Sequence, residues 1–232
     1  MGLVLAMPER GIATQEFEIE DADAIAPERG GRLGGVSLGE PLWRARWTLS
    51  RNLTRDASDE WRAFISRCRG SKRPFVAHDR DRLYPRAYPQ GFARMTTSAG
   101  LPFTGAAASW SQAIDADDNA LLTLTGLPAG LKLGRGDGIG FRWDAAGSPS
   151  GTHDRLAMVR VVEPTECDAA GSVTAMVEMP VPVRVVPAGA EAHLDRPGCL
   201  VRLVPGEASL GALDRRQKIA GGTISALQDL RP

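Results

Sequence analysis

Residues 41–78, PLWRARWTLSRNLTRDASDEWRAFISRCRGSKRPFVAH, decide the fold. The first part has period two. Trp43, Ala45, Trp47 and Leu49 fall on one side, and Arg44, Arg46, Thr48 and Ser50 on the other. That alternation predicts an antiparallel strand with one buried and one wet face. The period then changes. Trp61, Phe64, Ile65 and Cys68 are spaced i, i+3, i+4, i+7, which is one apolar stripe on a helix. Asp56 or Ser58 is the expected cap, Asp59 and Glu60 occupy the first turn, and Arg67 and Arg69 the last. Gly70 is the expected stop, so the helix is placed at about 56–69. Lys72, Arg73 and Pro74 turn the chain into a second strand that opens with Phe75 and Val76. Trp43, Trp47, Trp61, Phe64 and Ile65 are the expected centre of a core.

Working outward, the chain before this stretch has one further alternation. Over residues 14–20, Phe17 and Ile19 alternate with Glu16, Glu18 and Glu20, which predicts a strand with an acidic outer face. Residues 21–35 are charged and glycine-rich with Pro27 inside, and read as a loop or extended arm. Beyond the stretch, residues 79–91 are basic and interrupted by Pro85 and Pro89, and residues 95–105 read as a loop. Strands are expected at 110–114, 122–125, 141–143, 156–163 and 172–179, with a hairpin loop at 167–171 between the last two. The final strands fall at 200–204 and 223–230, separated by a polar segment.

Many short strands with one convincing helix make the chain mainly β, a sandwich or barrel with a minor α+β element. The texture changes across residues 107–119 and changes back near 198. The expected organisation is therefore a discontinuous domain, 1–118 plus 199–232, interrupted by an inserted β domain at 119–198.

Composition narrows the function classes. The 232 residues carry 28 basic and 28 acidic side chains, a net charge of zero. That argues against nucleic acid as a partner. No run approaches the ~20 apolar residues that span a bilayer, so membrane insertion is not expected. Cys68, Cys167 and Cys199 are odd in number and form no CxxC pair, which fits neither a disulfide framework nor a zinc site.

Each local signature of catalysis fails on a named residue. Arg135-Gly136-Asp137 spells an adhesion tripeptide, but the flanking glycines favour a β-turn. Asp115, Asp117 and Asn119 resemble the start of a calcium loop, yet Ala120 and Gly126 stand where its glycine and glutamate belong. Gly147-Ser148-Pro149-Ser150-Gly151 puts proline at the position of a nucleophilic serine. His78, His153 and His193 are scattered, and His78-Asp79 is at most half of an acid–base couple. The reading is a protein without catalytic, cofactor-binding or metal-binding residues.

Between Arg44 and Arg86, basic residues outnumber acidic ones, whereas the N-terminal strand is acidic. Two readings stand: an ordinary solvated surface, or head-to-tail association of copies, which closes into rings. In the second, Glu16, Glu18, Glu20, Arg44, Arg46 and Arg62 are the candidate contacts between subunits.

Several of these runs resemble a known family. Pro41-Leu42-Trp43-Arg44-Ala45, Glu60-Trp61-Arg62-Ala63-Phe64, Arg69-Gly70 and Phe75 are similar to the first domain of distal tail and minor tail proteins of siphophages and phage-like particles. The runs 122–128, 133–140, 156–159 and 168–174 resemble that family's inserted barrel. The resemblance implies a β-sandwich-type ring-forming domain and a small β-barrel insert, OB-like or split-barrel. It implies a non-enzymatic virion protein, assembled in the host cytoplasm and placed at the tail tip. There it would form a ring, usually a hexamer, that joins the tail-tube protein to the baseplate hub protein and receptor-binding proteins. Two rivals remain at this stage. One is a carbohydrate- or receptor-binding module using Trp110, Phe141 and Trp143. The other is a cell-wall hydrolase using His78, Asp79 or the acids at 115–118.

Overall fold

The computed structural model describes residues 4–21, 23–27, 33–37, 39–51, 53–211 and 221–230. In chain order the strands are β1 (Leu5–Ala6), β2 (Ile12–Glu20), β3 (Asp23–Pro27), β4 (Leu33–Ser37), β5 (Leu42–Leu49), β6 (Phe75–His78), β7 (Ser109–Ile114), β8 (Ala120–Thr125), β9 (Lys132–Leu133), β10 (Gly138–Trp143), β11 (Arg155–Arg160), β12 (Thr165–Glu166), β13 (Val173–Val177), β14 (Glu191–His193), β15 (Gly198–Ser209) and β16 (Thr223–Gln228). Among the described residues the one α-helix, α1, spans Arg55–Cys68 between β5 and β6. The protein is mainly β with a minor helix.

The chain divides into two compact units. One comprises Leu5–Phe75 with Val201–Asp229, and the other is built mainly from Val76–Leu200. The sequence expectation placed the inserted segment at 119–198, later by some forty residues at its start. The difference lies in residues 79–106, which lack strand periodicity but are hydrogen-bonded to the second unit. Ser98 N–H donates to the Leu127 carbonyl, Leu194 N–H to Gly105, and Arg196 N–H to Leu83, at 3.1, 2.8 and 2.7 Å.

The first unit is organised by β5. A six-stranded sheet runs β1-β6-β15-β16-β5-β2, with β5 antiparallel to both neighbours. Its odd positions face inward: Trp43, Trp47 and Leu49 are essentially inaccessible. The stripe of α1 supplies Trp61, Phe64 and Cys68 to the same core. Ring pairs join the pieces, with Phe17–Trp43 at 5.2 Å, Trp47–Phe75 at 6.1 Å, Trp61–Phe64 at 5.8 Å and Phe64–Phe75 at 5.0 Å. Each such pair adds to the area term, which is itself about 1.5–3 kcal/mol per large apolar side chain. Ile65, beside the stripe, is only partly buried.

The helix cap differs from the expectation. Thr54, not Asp56 or Ser58, accepts from the Ala57 N–H at 3.3 Å, and Ser58 is instead buried on the stripe. At the other end Arg69 (φ 50°) and Gly70 (φ 67°) are both left-handed, which stops the helix. The arm expected at 21–35 contains strand instead. β3 and β4 pair antiparallel from Asp23↔Ser37 to Pro27↔Leu33, with residues 28–32 outside the described part.

In the second unit two three-stranded sheets, β11-β10-β14 and β13-β8-β7, carry most of the backbone pairing. Two single bridges, Val161↔Val177 and Ala106↔His193, connect them edge to edge. The six strands thereby close into a circuit around Leu122, Leu124, Ile139, Phe141 and Val159, all buried. Closure removes free sheet edges. The expected hairpin of 156–163 with 172–179 is corrected. β11 pairs along its length with β10, and β13 with β8; those two segments meet at the Val161↔Val177 bridge with its flanking bonds and at the Arg160–Glu178 ion pair.

Candidate functional site

The outer face of the first unit's sheet is where the expected charge contacts fall. Register places Glu16 opposite Arg46 and Glu18 opposite Arg44. Arg44 is bidentate on two acids, Glu20 on β2 at 3.0 Å and Glu207 on β15 at 2.9 Å. Hydrogen bonds to Glu207 and Glu20 hold the guanidinium above its ordinary pKa, and bonds from Ser225 and Arg44 hold Glu207 below the usual carboxylate range. Arg62 lies one helical turn from Asp59, at 3.7 Å. So the acidic strand and the basic strand are neighbours, and Glu20 meets Arg44 inside one chain. Exposed pairs of this kind contribute little to stability and chiefly fix register.

The β3–β4 ladder pairs with no other strand among the described residues. On it Val36 is 64% exposed. A two-stranded hairpin alone is marginally stable in water, and three strands or a packed face are needed to hold one.

The residues considered for hydrolysis do not converge. The His78 ring contacts the Pro197 carbonyl through Nδ1 at 3.1 Å, and Asp79 caps the short 3-10 turn Arg80–Arg82 by accepting from Asp81 N–H. Burial raises the Asp79 pKa. Asp115 is spent on its own turn: it accepts from the Asp117 and Asn119 backbone and from Asn119 Nδ2, at 2.8 to 2.9 Å, which lowers its pKa. The aromatics of the carbohydrate reading are also engaged. Phe141 and Trp143 are buried, and Trp110 donates its indole N–H to Ala190 at 2.8 Å while packing on Phe141.

Asp137 of the adhesion-like tripeptide is wholly buried. Its Oδ2 accepts from Gly134 N–H at 2.6 Å and its Oδ1 from Arg86 N–H at 3.0 Å, with the Arg82 guanidinium 3.6 Å away. The turn reading holds, and the carboxylate braces the 82–86 segment against β10 instead of facing a partner.

One cavity in the second unit brings polar and aromatic groups together, and the sequence did not point to it. It measures about 480 Å³ and is lined by Tyr84, Phe92, Arg94, Met95, Phe103 and Asp195 among others. Phe92 is the hub of its floor, 4.9 Å from Phe103 and 5.9 Å from Tyr84. Two glycines permit the walls to approach. A Cβ on Gly105 (φ 98°) would sit 2.8 Å from Asp195 Cβ, and one on Gly91 (φ 82°) 3.1 Å from the Tyr84 ring. The Tyr84 hydroxyl bonds the Asp195 carboxylate, whose charge raises the phenol's pKa.

The sequence matches no family model and no curated protein at a significant level.

Proposed function

We propose that this chain is a structural ring protein of a phage tail tip, of the distal tail type, linking tail tube to baseplate hub. The residues that carry the resemblance supply this reading. Trp43, Trp61, Phe64 and Phe75 pack into one core on the β5–α1–β6 unit. The observation that favours self-assembly is the β3–β4 hairpin. It displays Val36 and pairs only with itself among the described strands, so a second copy is the natural surface to cover it. In this reading the hairpin reaches the next subunit, and the charged face of β2 and β5 sets orientation between copies. Repetition of one heterologous contact gives a closed ring, here a hexamer, with neither catalysis nor a cofactor.

The test is the mass of the full chain in solution, followed by negative-stain imaging. A ring of six 24.8 kDa copies is expected, and Val36→Asp should dissociate it without lowering the unfolding midpoint of the monomer. A monodisperse monomer at tens of micromolar would overturn the proposal.

A further inference from the structure

The cavity floored by Phe92 combines features that the ring reading does not use. Asp195 Oδ1 is buried and has no hydrogen-bond partner, although it belongs to a charged group. Leaving such an oxygen unpaired is costly. The backbone holds it there from both sides, through Leu194 N–H to Gly105 O and Arg196 N–H to Leu83 O. Arg94, on the cavity wall, has φ 72°, and Arg196, next to Asp195, has φ 48°. Both are left-handed conformations that side-chain-bearing residues adopt at a cost, and such strain gathers at ligand sites. Tyr84, Arg94 and Asp195 thus line the wall over an aromatic floor, in a volume suited to a small molecule.

We propose that this cavity binds a neutral saccharide ring, whose hydroxyls donate to Asp195 and accept from Arg94 while its C–H face rests on the aromatic floor. Charge decides between ligand classes. A phosphate would meet the Asp195 carboxylate, and an ammonium would meet the Arg94 guanidinium. A polyol ring both donates and accepts, and satisfies each without leaving a charge opposed. The site lies wholly within the Val76–Leu200 unit and does not depend on assembly into rings.

The experiment is ligand-observed NMR on the full chain with glucose, galactose, rhamnose and N-acetylglucosamine, alongside inorganic phosphate and tetramethylammonium. At least one sugar should bind with a dissociation constant in the millimolar range. Asp195→Asn should weaken it at least tenfold. Arg94→Gly should weaken it at least threefold while leaving the unfolding midpoint unchanged or raised, since glycine relieves the left-handed backbone. That second variant keeps the test decisive if Asp195→Asn fails to fold. No binding by any of the four sugars up to about 50 mM, which is weaker than −2 kcal/mol or so, would overturn the proposal. So would binding that neither substitution weakens, or binding of phosphate or tetramethylammonium in place of the sugars.

Discussion

Trp61 donates its indole N–H to the carbonyl oxygen of Arg10 at 2.8 Å. The helix is thereby tied to the residues leading into β2, and the Trp61 ring also packs on Phe64 one turn on. Two substitutions separate these roles. Trp61→Ala removes a wholly buried side chain and should cost about 3–5 kcal/mol in urea unfolding. Trp61→Phe keeps an aromatic ring but leaves the Arg10 carbonyl unpaired, and should cost about 1–3 kcal/mol. If the ring reading is right, Trp61→Ala also abolishes assembly. An assembly-competent Trp61→Ala protein of normal stability would contradict both the core and the proposed role.

Asp137 is the second point at which one side chain organises distant segments. Replacement by Asn turns an amide NH₂ toward either Gly134 N–H or Arg86 N–H, so at least one of the two bonds is lost. It also leaves Arg82 without the nearby charge at 3.6 Å. Asp137→Asn should therefore destabilise the chain by about 2–4 kcal/mol, read from chemical denaturation. Asp137→Glu should not rescue it, because the longer chain has no room in a fully buried turn. An adhesion role would need this carboxylate in solvent, so a neutral Asp137→Asn would reopen that reading.

Much of the first unit was legible from periodicity. Trp43 to Leu49 alternate because one face of β5 is core, and Trp61 to Cys68 repeat at helical spacing because one stripe of α1 is. Those signals are local and strong. The cap was misplaced because Thr54, Asp56 and Ser58 are all capping residue types within one turn, and sequence alone does not choose among them. The β3–β4 hairpin was hidden by its glycines, proline and charges, which carry low strand propensity even where the chain pairs. Nearness in sequence suggested a hairpin for β13, whereas its main partner along the sheet is β8 and the hairpin contact is a single bridge. The cavity was invisible for a different reason. Tyr84, Phe92 and Phe103 come from a stretch without regular strands, and Asp195 lies about ninety residues beyond; no period or motif links them.

The three cysteines give a test of burial. Cys68, Cys167 and Cys199 are all buried and unpaired. Desolvation pushes the thiols of Cys68 and Cys167 up to about 11, and Cys199 also rises. At pH 8 almost no thiolate is present, and access is blocked as well. A chromogenic disulfide reagent should therefore label the native protein slowly, on the timescale of unfolding. In 8 M urea it should titrate three equivalents at once. Rapid stoichiometric labelling of the folded chain would show that at least one of these side chains is reachable.

His193 sets the response to acid. Its ring is buried beside Gly140, and its Nδ1 has no hydrogen-bond partner. Burial, reinforced by the Arg142 charge, lowers its pKa from 6.5 to about 4. The unfolded chain therefore takes up this proton at a higher pH than the folded one. Stability contributed by the neutral ring is complete above pH 6.5, falls as pH drops toward 4, and levels off below, a loss of about 3 kcal/mol in all. Other groups act elsewhere or with opposite sign. Asp115, Asp144, Asp154 and Glu207 have lowered pKa values, so their contributions are lost mainly below their ordinary values of 3.8 to 4.5. Asp79, raised by burial, favours the fold at the acid end and loses that contribution as pH rises from 3.8 through its folded pKa. The difference between wild type and His193→Gln cancels these background terms. Between pH 7 and pH 4.5 the wild type should lose about 2 kcal/mol more unfolding free energy than His193→Gln, measured by urea denaturation at each pH. An imidazole NMR titration of the wild type should show His193 still neutral at pH 5, and equal acid losses in the two proteins would mean that the ring is hydrated rather than buried.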